Sequence, residues 1–158
     1  MLNPYNYSSS FLKSSNNAAE TVGWVDALAN LVLAKKTSLG TIKPSELTTI
    51  LNSLECPKAI QGILMIIIEN NDTALLPRIA ATLRRQLIKM GKPVADVTVA
   101  NKGNTAENKI KAALDANYTV VFQTDPALIA GVRISSTNFT YESSVESRLN
   151  DVKKALNN

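Results

Sequence analysis

The feature that most restricts the fold of this 158-residue chain is a change in the spacing of its apolar residues near residue 91. Before that point apolar side chains recur every three or four residues, which is typical of amphipathic helices. After it they alternate with polar ones, as in half-buried strands. Gly91 and Pro93 stand between the two patterns, in the order that ends helices. The sequence therefore predicts two domains, a helical bundle over residues 1–91 and an α/β domain over residues 92–158.

The helical domain is divided by breaks that fit short connections between packed helices. The fourth predicted helix carries the longest apolar run, residues 63–68, and is therefore expected to be the most buried. Asn71 or Asp72 is predicted to cap the fifth helix, because short polar side chains accept hydrogen bonds from the first amides of a helix. The predicted spans are residues 4–15, 18–36, 44–54, a helix that begins at Pro57, and 72–90.

The second domain has the pattern of a strand, a helix and a strand, followed by a hairpin and a last helix. A small sheet covered by two helices is the simplest arrangement of these elements. The predicted fold class is therefore α+β and mainly α, with a helical bundle followed by a small mixed domain. The predicted strands are residues 95–99, 118–123, 128–135 and 139–141, and the predicted helices are 104–116 and 145–156.

The composition argues against most kinds of enzyme. The chain has no histidine and a single cysteine, Cys56, which removes most nucleophile–base pairs and most zinc sites. No GxGxxG or GxxxxGK[ST] motif occurs, so the usual nucleotide-binding loops are absent from the sequence. We therefore expect no catalytic residue, no metal site and no cofactor. The remaining enzymatic alternative is carboxylate chemistry, which would require scattered acidic residues to meet in one pocket.

The net charge of +4 and the pI of about 9.2 permit a second reading, a small basic RNA-binding protein with a helical bundle. Such a protein usually concentrates Lys and Arg in one patch. Here the basic residues are spread over both halves, and the pair Arg84 and Arg85 is interpreted as part of a solvated helix face. No nucleic-acid partner is therefore expected.

Membrane insertion is not predicted. The longest apolar run is far shorter than the roughly 20 residues that cross a bilayer. The N-terminus also lacks the pattern of a secretory signal. Any association with a membrane is expected to occur through partner proteins.

Four motifs stand in the second half of the chain and near its border. They are LLPRI at residues 75–79, VTVA at 97–100, DPALIAGVRI at 125–134 and SSVESRL at 143–149. Their order, together with an opening Asn-Pro-Tyr and the position of Trp24, resembles the delta subunit family of the F-type ATP synthase, which includes the oligomycin-sensitivity-conferring protein. Two departures are Ala130, where a glycine is common, and Tyr-Glu-Ser at residues 141–143, in place of Asp-Gly-Ser.

The resemblance implies a non-catalytic stator subunit, present in one copy, that couples rotation to ATP synthesis driven by proton translocation. The helical domain would hold the N-terminal segments of the alpha subunits of the catalytic head. The C-terminal domain would contact the b-type subunits of the peripheral stalk. The implied location is peripheral to the energy-transducing membrane, on the cytoplasmic face of a bacterial inner membrane or the matrix face of a mitochondrial one.

The same resemblance points to the first and fifth helices as the binding site for the alpha subunit. Apolar residues at helical spacing on two neighbouring helices can form a groove that accepts an amphipathic partner helix. Trp24 is a further candidate at the edge of the bundle, where it would pack in the core and contact a partner. The predicted interface residues are Tyr7, Phe11, Ile79 and Leu83 for the alpha subunit, and Arg133 and Arg148 for the stalk.

Overall fold

The fold is described from a computed structural model of the chain. The structure describes residues 3–34, 44–101, 104–114, 116–128 and 130–144. The chain divides into two compact units, Met1–Leu87 and Ile88–Asn158. The division falls close to the predicted boundary after residue 91. That each unit folds by itself stays a prediction.

The first unit is helical. Asn3 accepts a hydrogen bond from the amide of Tyr5 at 3.1 Å and thereby caps the first helix, while Pro4 occupies its first turn. Asn17 caps the second helix in the same way, through the amide of Glu20 at 3.3 Å. The α-helices are α1 (Pro4–Ser14), α2 (Ala18–Leu33), α3 (Pro44–Ser53), α4 (Lys58–Glu69) and α5 (Leu76–Lys89).

The core of the first unit contains side chains from every one of these helices. In α4, Ile60, Leu64 and Ile67 are buried at helical spacing, and α5 contributes Leu76 and Leu87 among its buried residues. The predicted burial of the fourth helix is confirmed on this face. Its other side is partly open, because Ile66 is exposed. The part of the second helix predicted beyond residue 34 lies outside the described residues.

The second unit contains a four-stranded sheet in the order β2-β1-β3-β4. Strands β1 and β2 are parallel, and α6 provides the connection between them, as a parallel pair requires. Strands β3 and β4 form an antiparallel hairpin beside β1. The elements are β1 (Val94–Val99), α6 (Asn104–Ala113), β2 (Thr119–Thr124), β3 (Gly131–Ser136) and β4 (Thr140–Ser144). The predicted α+β class, mainly α, is confirmed.

The start of the third strand was predicted wrongly. Residues Pro126–Leu128 form a short 3-10 turn, and β3 begins only at Gly131. The reason is local, because the Asp125 carboxylate accepts a hydrogen bond from the amide of Ala127 at 3.0 Å and holds a turn. Gly131 then enters the strand with a φ of 111°, a conformation that favours glycine.

Two other predictions for the second unit have different outcomes. The last strand runs from Thr140 to Ser144 and is therefore longer than predicted, whereas Phe139 lies before it. The predicted helix at residues 145–156 lies outside the described residues.

Candidate partner-binding surfaces

Tyr7 is the first of the predicted interface residues, and the structure places it inside the helical unit. Its hydroxyl donates a hydrogen bond to the buried carboxyl group of Asp72 at 2.9 Å and accepts one from the amide of Asn70 at 3.2 Å. Burial and the bond to Asp72 raise the pKa of Tyr7. Asp72 occupies the predicted N-cap position, at the start of the 3-10 turn Thr73–Leu75 that leads into α5, but its side chain makes no capping hydrogen bond and binds Tyr7.

Phe11, Ile79 and Leu83 are also buried. They lie on the inward faces of α1 and α5, where they pack in the core of the helical unit. A partner could touch these side chains only if the helices moved apart. That these three residues contact a partner stays an untested prediction. Other residues of α1 and α5 form the accessible faces of the two helices.

One polar contact shows which sides of α1 and α5 approach each other. The side-chain amide of Gln86 donates a hydrogen bond to the Ser9 hydroxyl at 2.9 Å. Ser9 lies four residues after Tyr5 and three before Leu12, so these three share one face of α1. Tyr5 is 56% exposed and Leu12 is half-buried. An accessible face of α1 with one large apolar residue therefore borders α5.

On α5, the exposed side next to this contact is basic. Arg78 and Arg85 are exposed, and they lie four residues before and three residues after Thr82, so the two cations share one face of the helix. We call these two residues the basic row. Because Thr82 also lies four residues before Gln86, the basic row borders the edge of α5 that reaches Ser9. Together with Tyr5, Ser9 and Leu12 it forms the α1–α5 strip.

Gln86, which makes the contact with Ser9, is only 8% exposed, and its Oε1 has no hydrogen-bond partner among the described residues. Buried acceptors without a partner are uncommon, because the group loses its water without a replacement. The exposed surface of the α1–α5 strip is formed by Tyr5 and the basic row.

The opposite side of α5 is tied to α2. Arg84 forms an ion pair with Asp26 of α2, so it points away from the strip. Trp24, two residues before Asp26, is half-buried. This placement fits the expectation of a tryptophan at the edge of the bundle, and its role in an interface stays a prediction.

In the second unit, Arg133 lies on β3 opposite Glu142 of β4 in the register of the hairpin. The two side chains form an ion pair of 3.1 Å near the surface. Tyr141, beside Glu142, is 53% exposed. The hairpin therefore presents a charged pair and an aromatic ring to solvent, while Arg148 lies outside the described residues.

The second unit also contains a cavity of about 470 Å³ at the end of β1. Its lining is mainly apolar and includes Val99, Ile110 and Val132.

The remaining chemistry of the described residues is limited. Cys56 is buried, and burial, followed by the charge of Glu20, raises the pKa of its thiol to about 11. A thiol with a raised pKa is a poor nucleophile at neutral pH. Within the described ranges, no group of three or more His, Cys, Asp or Glu residues is placed to hold a metal ion. No helix in the part of the chain that the structure describes is both long and apolar enough to cross a bilayer.

The sequence alone did not identify the α1–α5 strip. The seven-residue spacing of the basic row is visible in the sequence, but Arg85 was interpreted only as part of a solvated face. What the sequence does not contain is the neighbour, because the approach of Ser9 to Gln86 joins residues that are 77 positions apart.

Comparisons with known proteins identify the family. The family model of the ATP synthase delta (OSCP) subunit matches residues 6–156. The ATP synthase subunit delta of a Polaromonas species is 25% identical over 163 aligned positions, covering 92% of this chain and 90% of the relative. That of Delftia acidovorans is 26% identical over 153 positions, covering 86% and 83%.

A chain in the cryo-EM structure of the Toxoplasma gondii mitochondrial ATP synthase hexamer is 16% identical, with a TM-score of 0.49 and coverage of 100% of this chain and 99% of that chain. The family model spans nearly the whole sequence and confirms the resemblance predicted from the motifs. This chain therefore belongs to the ATP synthase delta (OSCP) subunit family.

Proposed function

We propose that this peripheral-stalk subunit is non-catalytic and joins two stationary parts of the synthase, one through each of its units. The helical unit holds the N-terminal segments of the alpha subunits, and the second unit contacts b-type subunits. Such a link resists the torque of the rotor, so that rotation is coupled to ATP synthesis. The proposed location is the cytoplasmic or matrix face of the energy-transducing membrane.

The observation that carries the proposal is the family match, and the accessible α1–α5 strip supports the place of the head contact. A groove between two helices accepts an amphipathic helix through apolar residues at helical spacing. Tyr5 of α1 is an exposed aromatic residue on such a strip, and aromatic residues are frequent anchors of interfaces. The interior residues Tyr7, Phe11, Ile79 and Leu83 then support the strip from below.

For the stalk contact we propose the β3–β4 hairpin, with Arg133 and Tyr141 at its surface, together with Arg148. Two separate attachments strengthen each other, because the first contact raises the effective concentration of the second. This permits a firm link even if each contact is modest by itself.

Titration calorimetry with the full chain tests the head contact. A synthetic peptide with the N-terminal sequence of the cognate alpha subunit is expected to bind at micromolar concentrations, whereas a scrambled peptide of the same composition is not. Fluorescence of Trp24, the sole tryptophan, provides a second readout. Absence of both heat and a spectral change would contradict the proposed head contact.

The RNA-binding alternative makes a different prediction. Family membership favours a protein partner, although the basic row is the kind of surface that RNA could use. Binding through phosphates weakens steeply as salt rises. We expect no shift of a generic RNA in gels at physiological salt, and a shift that persists there would favour the alternative.

A further inference from the structure

We propose that the partner segment bound at the α1–α5 strip is an acidic amphipathic helix, with carboxylates facing the basic row of α5 and an apolar stripe facing α1. This inference rests on the proposed function, since it specifies the chemistry of the segment that the helical unit holds.

The first argument is that the charged side chains of α1 and α5 are all positive. Neither α1 nor α5 contains an aspartate or a glutamate. The basic row is exposed, and α1 adds the exposed Lys13. A helix that carried cations on the facing side would be repelled, whereas Asp and Glu side chains would meet a complementary field. The strip therefore selects for acidic residues on one side of its partner.

The second argument is the separation of charge from apolar surface across the strip. On the α1 side, Tyr5 and Leu12 flank Ser9, whose small side chain permits a close approach of another helix. On the α5 side, Thr82 lies between Arg78 and Arg85 along the same face and adds little bulk. A partner helix that fits both sides has an apolar stripe with acidic residues along one edge.

Variants of the full chain in which two charges are reversed test the inference. The variant R78E/R85E replaces the two cations of the basic row by carboxylates. The variant K58E/K109E makes the same change in net charge at exposed lysines outside α1 and α5. The neutral variant R78Q/R85Q is the second test, in case reversal disturbs folding, and circular dichroism checks each protein. The probes are the alpha N-terminal peptide and a version with its Asp and Glu replaced by Lys.

We expect R78E/R85E to weaken binding of the natural peptide at least about tenfold, R78Q/R85Q to weaken it less, and K58E/K109E to change it less than about twofold. The Lys-substituted peptide should bind R78E/R85E better than it binds the wild type. The affinity of the wild type should also fall as salt rises.

Two results separate the inference from the proposed function. If the wild type binds the natural peptide and R78E/R85E binds it equally well, the acidic partner is wrong while the head contact stands. If the wild type binds no alpha peptide at all, both are wrong. A cognate alpha segment without carboxylates beside its apolar stripe would also overturn the inference.

Discussion

At the scale of single residues, Tyr7 joins three parts of the helical unit through one hydroxyl group. It lies on α1, its acceptor Asp72 precedes α5, and its donor Asn70 follows α4. The bond to Asp72 lies in the interior of the unit, where Asp72 is only 2% exposed. Removal of the Tyr7 hydroxyl would take one hydrogen-bond donor from this buried carboxyl group and the acceptor from the Asn70 amide. The Tyr7 hydroxyl is therefore expected to stabilise the unit.

The substitution Tyr7→Phe tests this role. It keeps the ring and removes the hydroxyl, so we expect the free energy of unfolding to fall by about 1–2 kcal/mol. Urea denaturation followed by circular dichroism measures the change. Tyr5→Phe is the matched control, because the ring of Tyr5 is mostly exposed, and a change below about 0.5 kcal/mol is expected there. Equal effects of the two substitutions would contradict the assignment.

Cys56 gives a prediction about pH. Its pKa is raised from 9.0 to about 11, by burial and then by Glu20. The folded thiol therefore keeps a proton that the unfolded thiol releases, so its contribution to stability is complete below pH 9 and is lost as pH rises towards 11. We expect the stability of the wild type, relative to Cys56→Ala, to fall over this range. Parallel stability curves for the two proteins would show that Cys56 does not titrate in this way.

At the scale of elements, two glycines in the helical region have opposite roles. Gly62 lies inside α4, and no described atom lies within 4 Å of the position of an added Cβ. Gly91 follows the end of α5 with a φ of 72°, and its amide bonds to the carbonyl of Ile88 at 3.0 Å. The first glycine weakens its helix, whereas the second permits the chain to leave α5 in a left-handed turn.

Alanine substitutions should separate these two roles. Gly62→Ala is expected to raise the free energy of unfolding by about 0.5–1 kcal/mol, because alanine loses less backbone entropy in a helix. Gly91→Ala is expected to lower it by about 1 kcal/mol, since a Cβ disfavours positive φ. Thermal and urea unfolding of both variants measure the two changes in the free energy of unfolding. Stabilisation by Gly91→Ala would contradict the proposed need for glycine at the end of α5.

At the scale of the whole molecule, the division into two units is the feature on which the proposed link depends. A protein that joins two stationary partners needs a binding surface on each unit, and the α1–α5 strip and the β3–β4 hairpin supply the two candidates. The first unit has a core of its own, to which each of the helices α1 to α5 contributes buried side chains. We therefore predict that it folds without the second.

Expression of residues 1–91 as a fragment tests this prediction. The fragment should give a helical circular dichroism spectrum and unfold in one cooperative transition. A fragment of residues 1–82 is the control, because it lacks Leu83 and Leu87, both of which are fully buried in α5. We expect the shorter fragment to be unfolded. An unfolded 1–91 fragment would show that the helical unit depends on the remainder of the chain.

Much of the fold was predictable from the sequence because the signals are local. The change of period near Gly91, the prolines at which helices begin, and the alternation in the strands all act over a few residues. One error was a local competition of the same kind, because Asp125 forms a turn where an apolar run suggested a strand. The other depends on a distant contact, because the side chain of Asp72 makes no capping bond and binds Tyr7, which lies 65 positions away.

The candidate site was less predictable than the fold. The motifs identified the family, and the resemblance pointed to the first and fifth helices as the binding site. The sequence by itself therefore determined the elements and their order, since backbone preferences and apolar periodicity are properties of neighbouring residues. Only the tertiary structure decided that Phe11 and Leu83 face inward and that the basic row lies beside Tyr5 and Ser9. Those relations arise from packing between distant segments, and no local pattern encodes which faces meet.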